Sequence, residues 1–76
     1  MATWNRNVSM RALRAFCAAA EHVSFRLAAE ELFLTASAVS HQIRQLESAL
    51  DVQLFTRSAR SLRVTNAGQT FLDDLK

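Results

Sequence analysis

The sequence predicts a mainly α domain: three helices, a short two-stranded ribbon, then the start of a fourth helix. Three observations carry this. Of 76 residues 13 are Ala and 10 are Leu, both strong helix formers, whereas Gly occurs once and Pro not at all. Apolar side chains recur at helical spacing over residues 10–20, 28–32 and 39–50. Residues 53–65 abandon that spacing and alternate instead, with Leu62 and Val64 flanking Arg63.

The first helix begins near Met10 and lines up Leu13, Phe16, Cys17 and Ala20 on one stripe, leaving Arg11, Arg14 and Glu21 off it. His22-Val23-Ser24 interrupts the pattern, and the Ser24 hydroxyl suits the N-cap of a second helix. There Ala28, Ala29 and Leu32 face inward, and Phe25 packs across the first turn. Paired alanines let two helices approach closely. Thr35 is the next cap. The third helix runs to Leu50, with Val39, Ile43, Leu46 and Leu50 within about 60° of one another at 100° per residue. Ser37, His41, Arg44 and Ser48 occupy the opposite side, flanked by Ser40 and Gln45. Asp51 ends this helix where Gly is commoner, because Asp tolerates the left-handed conformation.

The ribbon turns around Ser58-Ala59-Arg60-Ser61, without the Gly or Asn that tight hairpins prefer, so strain or variation is expected at Asp51 and at the ribbon tip. Thr65 or Asn66 caps the last helix, and Asn66 with Gln69 has the spacing of a capping box. Ala67, Phe71 and Leu75 recur there every four residues, and the stripe is still running at Lys76. Phe71 and Leu75 could cover the domain's own core, but a stripe left incomplete favours a dimer seam of Phe71, Leu72 and Leu75 on a helix that continues in a longer protein. Residues 1–9 form a leader.

Composition excludes several functions. The lone Cys17 cannot make an internal disulfide, and it lies on an apolar stripe, so it belongs to the core. The longest apolar run, residues 15–20, falls far short of the roughly 20 residues of a membrane span. No apolar core of a signal peptide follows the N-terminus. A cytoplasmic protein without membrane contact is expected. Glycine-rich loop, paired acids and metal-ligand spacing are all missing, so no catalytic, cofactor or metal residue is assigned in this domain and the chain does not read as an enzyme.

Net charge is only +2, but its placement is informative. Residues 53–65 hold Arg57, Arg60 and Arg63 and no acid, whereas residues 35–52 carry Arg44 against Glu47 and Asp51. Eight of the nine basic residues are Arg, whose planar fork suits phosphate oxygens and guanine edges. Residues 25–44, Phe-Arg-Leu-Ala-Ala-Glu-Glu-Leu-Phe-Leu-Thr-Ala-Ser-Ala-Val-Ser-His-Gln-Ile-Arg, have helix-turn-helix spacing. A polar-faced helix beside an arginine-bearing hairpin points to nucleic acid. The competing reading is a helical protein–protein interaction module that never touches DNA.

These residues closely resemble the DNA-binding domain of LysR-type transcriptional regulators. The likeness runs over about residues 10–76, through Leu13-Arg-Ala-Phe-Cys-Ala-Ala-Ala-Glu21, Ser24-Phe25, Ala28-Ala29-Glu30-Glu31-Leu32, residues 35–47, Leu54-Phe55-Thr-Arg57 and Leu62-Arg-Val-Thr65-Asn-Ala-Gly68. Ala38-Val-Ser-His-Gln-Ile-Arg44 is most similar to the branch containing glycine-cleavage activators. The resemblance implies a winged helix-turn-helix over residues 10–65, with a three-helix core, the helix-turn-helix at about 25–44 and a short two-stranded wing at about 53–65. Residues 66–76 would begin the linker helix through which members form homodimers, and tetramers at full length. A C-terminal domain that binds a small-molecule effector would lie outside this chain.

Carried over by position, Ala36, Ser37, Ser40 and His41 would face bases in the major groove of an interrupted palindromic operator in double-stranded DNA. Ser24, Arg26, Thr35, Gln42 and Arg44 would touch phosphates, and Arg57 and Arg60 would serve the wing in the minor groove. The chain departs from the family pattern at Arg26 (commonly Thr), Ala36 (Gln), Ser37 (Pro), His41 (Arg) and Asp51 (Gly). Ala36 retains only an apolar contact, such as one with a thymine methyl, so a target sequence unlike a relative's is expected.

Overall fold

The computed structural model describes residues 9–58 and 61–75. Residues 1–8 of the expected leader, Ala59 and Arg60 of the expected turn, and Lys76 lie outside that range. Six elements follow in order: α1 (Met10–His22), α2 (Phe25–Leu32), α3 (Ala36–Leu50), β1 (Phe55–Arg57), β2 (Leu62–Val64) and α4 (Asn66–Leu75). α1 packs against both α2 and α3, which also pack on each other. β1 and β2 pair antiparallel, with Phe55 opposite Val64, Thr56 opposite Arg63 and Arg57 opposite Leu62.

Hydroxyl side chains start each helix. Ser9, Ser24 and Thr35 accept hydrogen bonds from the backbone N–H of Ala12, Leu27 and Ala38 at 3.0, 3.1 and 3.0 Å. Of the two candidates for α4, Thr65 is the cap: its Oγ1 accepts from Gly68 N–H at 2.9 Å. The Asn66–Gln69 capping box does not form. Gln69 instead donates to Asp73 one turn on, at 3.1 Å. Thr65 wins because its hydroxyl can also donate to the Gln53 carbonyl at 2.7 Å while its N–H reaches Leu54 O at 2.9 Å. That residue therefore pins α4 to the chain entering β1.

The first three helices all end in a left-handed residue, and none is glycine: Val23 (φ 49°), Phe33 (φ 59°) and Asp51 (φ 54°). Each closes with a hydrogen bond to the carbonyl five residues back, Ser24 to Ala19, Leu34 to Ala29 and Val52 to Glu47. Asp51 is where the sequence places such a cap. Val23 and Phe33 are not, because β-branched and aromatic residues disfavour this region. Tight reversals between packed helices impose it regardless of side chain.

The core runs through α1, with Ala15, Phe16 and Ala19 sealed against Ala28, Val39, Ile43, Leu46, Leu54 and Phe55. The Phe16 ring lies 5.6 Å from Phe55 and 5.3 Å from Phe71, and Phe55 meets Phe25 edge-on at 5.6 Å. Phe71 and Leu72, expected on a dimer seam, are instead buried in the chain's own core, and only Leu75 stays half-buried. Helical spacing cannot separate these cases, since a stripe that covers its own domain repeats like one that covers a partner.

Gly68 sits where α4 crosses this entry to the ribbon. A Cβ there would overlap the Leu54 carbonyl oxygen and lie 2.8 Å from Val64 Cγ1. We expect Gly68→Ala to cost about 1–3 kcal/mol in urea unfolding, as overpacking does; an unchanged midpoint would contradict the contact. Val23 is half exposed and loses little packing on truncation. Val23→Gly should therefore raise stability by up to about 1 kcal/mol, relief of the left-handed penalty outweighing added chain entropy.

Candidate nucleic-acid interface

α3 divides cleanly by burial. Val39, Ile43 and Leu46 are sealed inward, while Ala36, Ser37, His41, Arg44 and Ser48 are exposed. Ser40 lies half-buried on one flank of the buried stripe and Gln42 half-buried on the other. Ser37, His41, Arg44 and Ser48 thus share one solvent-facing side, as expected from spacing. Thr35 and Ser24 sit at the N-termini of α3 and α2, where their hydroxyl oxygens already accept the capping bonds. Each keeps a hydroxyl proton that can be donated to a phosphate oxygen.

Arg26 lies exposed on α2, paired to Glu30 at 2.8 Å. Such a surface pair is worth only about 0.3–0.5 kcal/mol, so a phosphate can displace Glu30. His22 at the end of α1 pairs with Glu31 of α2 at 2.7 Å, a tether between these two helices. Gln42 shares a cleft with Arg11, Arg14, Leu34 and Ala38. The two α1 arginines therefore flank the N-terminal half of α3, a role the sequence reading did not give them. Their only sequence signal is their place off the apolar stripe of α1.

The ribbon extends from the far end of α3. Its four-residue turn is closed by serine: Ser58 N–H donates to Ser61 O at 2.9 Å, Ser61 N–H donates to Ser58 Oγ at 3.1 Å, and the two hydroxyls lie 3.0 Å apart. Arg63 projects exposed from β2. Arg57 does not extend outward in the same way. Its Nη2 is 3.8 Å from Glu47 Oε1 and its Cζ lies 5.0 Å from the centre of the Phe25 ring, so the guanidinium is held between α3 and α2.

Glu47 is a third residue to which the sequence assigns no role. Its Oε2 accepts from the backbone N–H groups of Leu54 and Phe55 at 2.9 and 3.2 Å. Spacing carries no signal for this bond because its partners are backbone groups.

Three helices with an antiparallel ribbon packed beyond the third define a winged helix-turn-helix domain. Residues 10–69 match the family model described as bacterial regulatory helix-turn-helix protein, lysR family, and the chain belongs to that family. The glycine cleavage system transcriptional activator of Escherichia coli (strain K12) is 55% identical over 67 residues, covering 88% of this chain and 22% of that protein. The likeness to glycine-cleavage activators read from residues 38–44 agrees with this match. Among solved structures, the CbnR_DBD–DNA complex is 36% identical with a TM-score of 0.83, over 88% of this chain and 77% of that one. The BenM_DBD/benA site 1 DNA complex is 36% identical with a TM-score of 0.82, over 88% and 75%. The chain spans about a fifth of the length of the curated relatives it matches, at 22%. Those relatives are transcriptional regulators, not enzymes. Among the described residues no helix is long and apolar enough to cross a membrane.

Proposed function

We propose that this chain is the sequence-specific, double-stranded-DNA-binding part of a bacterial transcription regulator. The observation that carries the reading is the exposed face of α3: serine, histidine and arginine without a carboxylate, beside a ribbon whose charged residues are all arginine. A helix of this kind fits the major groove, where its N-terminal residues meet base edges. In that pose Ala36, Ser37, Ser40 and His41 face bases, and Ser24, Arg26, Thr35, Gln42 and Arg44 face the phosphate backbone. Arg60 is assigned to the adjacent minor groove; Arg11 and Arg14, beside Gln42, are suited to a flanking phosphate. The relatives solved on DNA support this reading at 36% identity.

The unit of function is a homodimer that pairs α4 and its continuation with a second copy, forming tetramers at full length. Leu75, with Met10, Leu13, Cys17 and Leu32, borders an apolar groove that remains available for such pairing. Two domains so joined read half-sites about 34–36 Å apart, or a multiple, in an interrupted palindrome. Residues 1–9 are a leader, residues 10–65 read DNA and residues 66–76 begin the linker. A further C-terminal domain senses a small-molecule effector, and the regulator works in the cytoplasm with no cofactor in this domain.

Titration of a fluorescent random duplex at two salt concentrations tests the class. Affinity falling steeply with salt supports DNA binding, whereas no binding at either concentration supports the protein-interaction module. Arg60→Ala should weaken binding equally across sequences and lower the slope of log affinity against log salt by about one; a change confined to one base position contradicts that uniform effect. His41→Ala should cost about 1–3 kcal/mol on the preferred site and relax specificity there, measured by in vitro selection. An unchanged preference removes His41 from the readers.

A further inference from the structure

We propose that Glu47 is the positioning residue that sets the angle of the wing against the recognition helix α3, with Arg57 as its counter-ion inside the fold and not as an arm into the minor groove. The inference rests on the DNA-binding reading above and assigns parts within it.

Glu47 lies on the last turns of α3, with its side chain 17% exposed. One oxygen takes two backbone N–H groups at the point where the chain enters β1, and the other faces the Arg57 guanidinium on the same strand. Its own main-chain carbonyl also accepts from Val52 N–H at 3.1 Å. One residue therefore holds the α3–β1 connection by main chain and side chain together. Bonds to an ionised carboxylate are shorter and about twice as strong as neutral ones. Arg57 completes the link to the other reading helix, because its guanidinium lies over Phe25 at the start of α2. With 29% of its side chain exposed and both a carboxylate and a ring face engaged, Arg57 is oriented by the fold before any ligand arrives. The ribbon has three residues in each strand and, among the described residues, no third strand beside it, so its own ladder cannot fix its angle to α3. The Phe55 ring anchors its base; the Glu47 carboxylate fixes the direction in which the base leaves the helix.

The test is a double-mutant cycle on the full 76-residue chain, reading duplex affinity by anisotropy, with Arg60→Ala as the probe of wing placement. Arg60→Ala should weaken binding on the order of tenfold in the native background and by no more than about twofold in Glu47→Gln, because a misdirected wing no longer delivers Arg60. Glu47→Gln should leave the base preference of α3 in a selection experiment unchanged. An Arg60→Ala effect of equal size in both backgrounds overturns the proposal. Should Glu47→Gln fail to fold, Arg57→Gln carries the same cycle with the same expected loss of coupling. Amide exchange gives a readout independent of DNA: Leu54 and Phe55 N–H should exchange about tenfold faster in Glu47→Gln, with Phe16 N–H unchanged. Faster exchange without salt-dependent binding by the native chain would defeat the DNA reading and leave the clamp standing. Unchanged exchange at Leu54 and Phe55 defeats the clamp whatever the chain binds.

Discussion

The Phe55 ring is the contact on which the geometry of the domain depends. It lies against Phe16 of α1 at 5.6 Å and against Phe25 of α2 at 5.6 Å, and through Phe16 it is continuous with Phe71 of α4. Each tilted or edge-on ring pair is worth about 0.5–1.5 kcal/mol beyond the area it buries. The backbone N–H of Phe55 is bound by Glu47 of α3. Three helices therefore meet at the first residue of the ribbon, and α4 joins them through Phe16. A domain of 76 residues buries only about 60% of its unfolded surface, so few such junctions are available to it.

Around that junction the angles between helices are set by short, closed reversals. Val23 and Phe33 adopt the left-handed conformation without being glycine, and the hydrogen bonds to Ala19 and Ala29 repay part of the strain. The α2–α3 turn leaves Phe33 94% exposed, so this conformation does not serve to bury the ring. What it secures is the crossing of α2 and α3, with Ala28 and Ala29 buried on α2. The solvent-facing side of α3 is in turn a consequence of that crossing: Val39, Ile43 and Leu46 must face α1 and α2, which leaves His41 and Arg44 outward.

Arginine has divided roles. Arg26 is held by an exposed carboxylate that a phosphate can replace, whereas Arg57 is fixed between Glu47 and Phe25. Arg63 and the α1 pair Arg11 and Arg14 are exposed. The arginines are therefore partly structural and partly presented, and their contacts separate the two.

By itself the sequence determined the helices, their caps at Ser24, Thr35 and Asp51, the ribbon strands and the polar face of α3. Those features are local: they depend on hydrogen bonds three to five residues apart and on a 3.6-residue repeat. It also carried the family, through side chains spread over nearly the whole chain. Only the tertiary structure decided that Phe71 and Leu72 close the chain's own core, that Thr65 caps α4 in place of an Asn66–Gln69 box, and that Val23 and Phe33 turn left-handed. It alone brought Arg11 and Arg14 beside Gln42, and Glu47 to the backbone of Leu54 and Phe55. Each of these depends on partners brought together by packing, many of them main-chain groups that every residue carries and no sequence pattern marks.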